Sequence, residues 1–121
     1  MVAAILIVGD DPVLLQTRAD LLREWQVSTS TSQQAFQAIR ASAFDLLIVC
    51  QTVSDNTAAQ LIDKAREINP DVQALAIAQV HQERNLNVEL FEVQLNDPDR
   101  LRRIVTRLLQ EADSRNKQAW A

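Results

Sequence analysis

Three uninterrupted apolar runs constrain the fold more than any other feature: residues 3–8 (AAILIV), 46–50 (LLIVC) and 74–78 (ALAIA). A strand with one wet face alternates apolar and polar side chains, whereas a continuous run suits a strand covered on both faces, as in a parallel sheet. Residues 27–31 and 89–94 are weaker strand candidates, and the second alternates and is more polar, as an edge strand would be. Helical patterns fill the gaps. Asp11 can cap a helix with Pro12 at its first position, where a missing N–H does no harm, and Leu14, Leu15, Leu21, Leu22 and Trp25 then recur at helical spacing. Ser32 is placed to cap a short helix carrying Ala35, Ala38 and Ile39. Asp55 or Asn56 starts a third helix, with Ala58, Leu61, Ile62 and Ala65 as its stripe and Pro70 just past its end. Asp97-Pro98 opens the last, striped by Leu101, Ile104, Val105, Leu108, Leu109 and Ala112.

Strands alternating with helices imply right-handed parallel crossovers and an α/β fold. With 121 residues the chain fits one domain, large enough to fold without a disulfide or metal. We expect a domain over residues 1–113 and a flexible C-terminal tail over 114–121, which is polar apart from Trp120. A net charge of -4 argues against a surface that tracks nucleic-acid phosphates. The single cysteine, Cys50, has no internal disulfide partner, no apolar run approaches membrane-spanning length, and the apolar start lacks the basic flank of a signal peptide. A cytoplasmic location is the expectation.

In doubly wound sheets, sites form beyond the carboxyl ends of the strands, where strand order switches. That rule directs attention to Gly9, Asp10 and Asp11, to Cys50 and to Ala78. Here the chain resembles the receiver domains of two-component response regulators. The resemblance rests on ILIVGDDPVLL (residues 5–15), FDLLIVC (44–50), Asn69-Pro70-Asp71 and NDPDRL (96–101), in that order and spacing. It implies a flavodoxin-like, CheY-like (βα)5 sandwich of three α/β/α layers around a doubly wound, five-stranded parallel sheet. From residue 79 to 91 the chain is about six residues shorter than receivers usually are, which implies a shortened fourth helix.

In a working receiver, two acids after the first strand and an Asp after the third hold Mg²⁺. That Asp accepts the phosphoryl group, and a hydroxyl residue and a Lys bind the phosphoryl oxygens. Carried over by position, Gly9 replaces the first acid and Asp10 keeps the second. Cys50 stands at the phosphoacceptor, Ala78 at the hydroxyl residue, Gln94 at the Lys, and Leu95 at the Pro that usually follows it. One carboxylate is a poor site for a hard cation, and without cation or Lys the developing phosphoryl charge is not neutralised. The resemblance therefore implies a degenerate, non-enzymatic signalling module, with no metal or cofactor, acting through a protein partner (kinase, effector or scaffold).

Several residues invite sharper readings. Cys50 suggests a thiol switch, but a reactive thiol needs a nearby cation or helix N-terminus, and Asp10 works in the opposite direction, so a passive buried side chain is the simpler reading. His81, the one histidine, has no ligand cluster at metal spacing, which also removes a hydrolase of the Ser/His/Asp or Cys/His type. Gly9 is the one glycine, so no Gly-rich phosphate loop exists. Arg100, Arg102, Arg103 and Arg107 read as the solvated face of the last helix. A regulatory or dimerisation unit, including a homodimer, is a further alternative.

Overall fold

The computed structural model describes residues 3–78, 84, 86–93 and 98–119, with side chains described outside 90–93, 98 and 112–119. The apolar runs form strands β1 (Ala4–Val8), β3 (Leu46–Val49) and β4 (Gln73–Ala78), and the weaker candidates form β2 (Gln26–Ser30) and β5 (Leu90–Val93). The helices are α1 (Pro12–Leu21), α2 (Ala35–Ala41), α3 (Asp55–Ile68) and α4 (Pro98–Ala119). All pairings are parallel and the strand order is β2-β1-β3-β4-β5.

Every described side chain of β3 and β4 is buried, as continuous apolar runs require. One face of the sheet packs Leu6, Val8, Leu47, Val49, Ala74 and Ala76 against α2 and α3 through Ala35, Ile39, Ala58, Leu61 and Ile62. The other packs Ile5, Ile7, Leu46, Ile48, Leu75 and Ile77 against α1 and α4 through Leu15, Leu101, Val105 and Leu108. Each fully buried Leu, Ile or Val of these layers contributes roughly 1.5–3 kcal/mol over an exposed one. Helices on both faces make the sheet doubly wound, and the chain changes direction between β1 and β3.

Local chemistry sets the helix ends. Asp11 Oδ1 accepts from the N–H groups of Val13 and Leu14 at 3.0 and 3.3 Å, capping α1 as its position implies. Ser54, one residue before Asp55, caps α3 by accepting from Thr57 N–H at 3.3 Å. Two expectations need correction. The α1 stripe does not continue to Trp25: the helix stops at Leu21, and Leu22 to Trp25 turn into β2 through a Trp25 N–H bond to the Leu22 carbonyl. Ser32 does not cap α2, whose N-cap is Gln34 with no side-chain bond. The last helix, α4, runs through Ala119, and 112–119 contain no Gly or Pro to stop it. Among the described residues, 84 and 86–89 between β4 and β5 carry no helix, while 79–83, 85 and 94–97 lie outside the description, as do residues 1, 2, 120 and 121.

Candidate functional site

The strand order sets the site. β1 lies between β2 and β3, and Val8 pairs with Val49, so the residues that follow β1 and β3 leave the sheet side by side. Cys50 N–H donates to the Val8 carbonyl at 2.9 Å, and Gly9 N–H donates to the Ser30 carbonyl at 3.0 Å. Gly9, Asp10 and Cys50 therefore meet at the topological switch point. Ala78 ends β4 and is buried; Gln94 lies outside the described residues.

Gly9 and Cys50 are in tight contact. A Cβ built on Gly9 would sit 3.1 Å from Cys50 Cβ, 3.2 Å from Cys50 Sγ and 3.3 Å from Leu15 Cδ2. The Gly9 backbone lies outside the left-handed region, so space and not conformation is what its missing side chain supplies. Any carboxylate at position 9 would have to displace the thiol or Leu15.

Asp10 is exposed, and its carboxylate is already engaged. Ser32 N–H donates to Oδ1 at 3.0 Å, and Ser32 Oγ–H reaches both carboxylate oxygens, at 3.0 and 2.9 Å. The Asp10 N–H donates to Thr52 Oγ1 at 2.9 Å, tying the end of β1 to the turn after β3. Ser32 thus uses its hydroxyl on Asp10 in place of α2, and the two roles look alike in a local sequence window.

Cys50 is 1% exposed and sits in the apolar layer against Leu15, Ile7 and Ile48. Burial pushes its thiol up from the ordinary value of 9.0; Arg18, by charge and hydrogen bond, and Arg84 pull it partly back, and Asp10 adds to the rise. Desolvation wins, and the group is held as the neutral thiol. The expected opposition from Asp10 is present but is the smallest influence.

Two arginines complete the site, and neither was expected there. Arg18 projects from the inner face of α1, is buried, and donates from Nη1 to Gln51 Oε1 at 3.1 Å. Its position was legible, since it falls three residues after Leu15 and four before Leu22, on the buried stripe. Arg84 comes from the connection between β4 and β5, and its side chain is fully buried. Nε donates to Asp55 Oδ1 at 2.8 Å, and Nη1 donates to the carbonyls of Ile77 at 2.9 Å and Cys50 at 3.1 Å. Nη2 donates to the Val53 carbonyl.

These donors do not suit the Mg²⁺ that the resemblance brings with it. Asp11 is spent on the α1 cap, Asp10 on Ser32 and Asp55 on Arg84, while the carbonyl of Cys50 faces a guanidinium. Among the described residues, no group of three or more His, Cys, Asp or Glu side chains is placed to hold a metal. Among them too, no helix is long and apolar enough to cross a membrane.

The sheet order, the helices on both faces and the site at the β1/β3 switch point define the fold of response-regulator receiver domains. A CheY-like receiver domain protein from Methanospirillum hungatei JF-1 superposes with a TM-score of 0.80 at 18% identity, covering 95% of this chain and 99% of that one. A response regulator receiver protein from Sinorhizobium medicae WSM419 gives 0.77 at 18% identity, over 92% of this chain and 97% of its own. NtrX from Brucella abortus, in complex with ADP, gives 0.76 at 20% identity over 98% of this chain, which spans only 29% of the NtrX chain. No protein-family profile matches the sequence, and no curated protein matches it.

Proposed function

We propose that this domain is a receiver-type signalling module that has lost phosphoryl transfer and acts by binding another protein. The observation that carries this reading is the Gly9–Cys50 contact. The position that matches the phosphoacceptor holds a buried, neutral thiol, and the position that matches the first acid accepts a side chain only if Cys50 or Leu15 gives way. Asp10 is the one matching carboxylate, and Ser32 occupies both its oxygens. Ala78 offers no hydroxyl to a phosphoryl oxygen, and the matching of Gln94 to the Lys belongs to the same reading.

The protein partner is a kinase, an effector or a scaffold that reads the folded surface without a phosphorylation signal. Incubation with acetyl phosphate and Mg²⁺, followed by intact-mass measurement, is expected to leave the mass unchanged. A stoichiometric gain of one phosphoryl group would overturn the proposal. A thiol switch at Cys50 is disfavoured on the same geometry, because both the sulfur's burial and its raised pKa suppress the thiolate.

A further inference from the structure

Arg84 is the least expected residue in the structure: a charged side chain with no solvent exposure, contributed by the β4–β5 connection. Burying a guanidinium is unfavourable unless its donors and its charge are matched. Here they are matched by groups from four places. Cys50 follows β3, Val53 lies in the turn after it, Asp55 is the first residue of α3, and Ile77 is near the end of β4. Three carbonyl oxygens and one carboxylate arranged around a single planar fork suit a guanidinium far better than a point-charge ammonium.

We infer that the carbonyls of Cys50, Val53 and Ile77 and the carboxylate of Asp55 form a guanidinium-binding cradle that Arg84 fills from within the same chain, clamping the ends of β3 and β4 and the start of α3 in one arrangement. The clamp places at the carboxyl end of the sheet a guanidinium whose charge Asp55 offsets. A divalent cation approaching the Cys50 carbonyl meets that guanidinium as a competitor. Arg18 adds a second cation beside the same thiol, bonded to Gln51. The clamp stands apart from the functional reading above, because it uses the Cys50 carbonyl and not its thiol.

The test is chemical rescue of Arg84→Gly in the full chain, with ethylguanidinium as the probe and ethylammonium as its control. Amide hydrogen exchange is followed at residues 51–56 and 78, with residues 5–8 of β1 as the internal reference. Removing the side chain is expected to raise exchange at 51–56 and 78 about tenfold or more while the β1 amides change less than about twofold. Millimolar ethylguanidinium restores protection, ethylammonium does not, and Arg84→Lys falls between. Exchange at 51–56 unchanged by the substitution, or rescue by both compounds alike, overturns the inference. If Arg84→Gly does not fold, Asp55→Asn keeps the question open to decision: it retains the carbonyls and removes the carboxylate, so severalfold faster local exchange supports the clamp and wild-type exchange refutes it.

Discussion

Replacing Gly9 by Ala probes the centre of the site with one methyl group. The new Cβ would lie 3.1 Å from Cys50 Cβ, where carbon pairs prefer about 3.5–4.0 Å, with Cys50 Sγ and Leu15 Cδ2 at 3.2 and 3.3 Å. Overpacking of this kind costs about 1–3 kcal/mol. Loss of backbone freedom in the unfolded chain offsets about 0.4–1 kcal/mol of that, since the Gly9 backbone is one that Ala accepts. The net expectation is a destabilisation of about 0.5–2 kcal/mol, read as an earlier urea midpoint by circular dichroism with an unchanged slope. Cys50→Ala removes Sγ but leaves Cβ, so in that background Gly9→Ala is expected to cost less, with a coupling of about 0.5–1 kcal/mol in the double-mutant cycle. A Gly9→Ala protein as stable as the parent would refute the steric account of this position. So would a penalty of the same size with and without the sulfur.

Two further outcomes follow from the site and its first helix. Asp11→Ala removes the acceptor for two N–H groups at the start of α1 and is expected to cost about 1 kcal/mol in urea unfolding, with Asp11→Asn close to the parent. The Cys50 thiol pKa is higher in the folded chain than in the unfolded one, so the native state binds the extra proton. Stability from this group is complete below the unfolded value near 9.0 and is lost as pH rises through the folded value. Wild-type stability should accordingly fall more steeply above pH 9.0 than that of Cys50→Ala, and parallel pH profiles would contradict the assignment.

The centre of the sheet was readable because burial on both faces leaves a mark in the sequence. β1, β3 and β4 are the three continuous apolar runs, with ends within one residue of those expected. β2 was less sharp: as an edge strand with exposed Gln26, Ser28 and Thr29 it is set by pairing with β1 more than by its own composition. At the site, Gly9, Asp10 and Cys50 could be brought together from topology alone, since residues that follow neighbouring parallel strands must meet. Arg84 could not. Its partners are 7 to 34 positions away in the chain, and nothing in its own neighbourhood distinguishes a buried arginine from a solvated one. The rival roles of Ser32 were equally opaque, because a hydroxyl beside a helix start suits a cap and a carboxylate contact alike.

The parallel arrangement also bears on how fast the chain folds. β1 meets β2 across the α1 crossover and meets β3 across a longer stretch, with Ala4 N–H reaching the Asp45 carboxylate 41 positions on. Closing the longer loop costs only about 0.6 kcal/mol more than closing one half its length, so entropy alone does not forbid early β1–β3 contact. Sequence-distant pairing of this kind sets the pace, which places this domain among slower folders than a helical bundle of equal length.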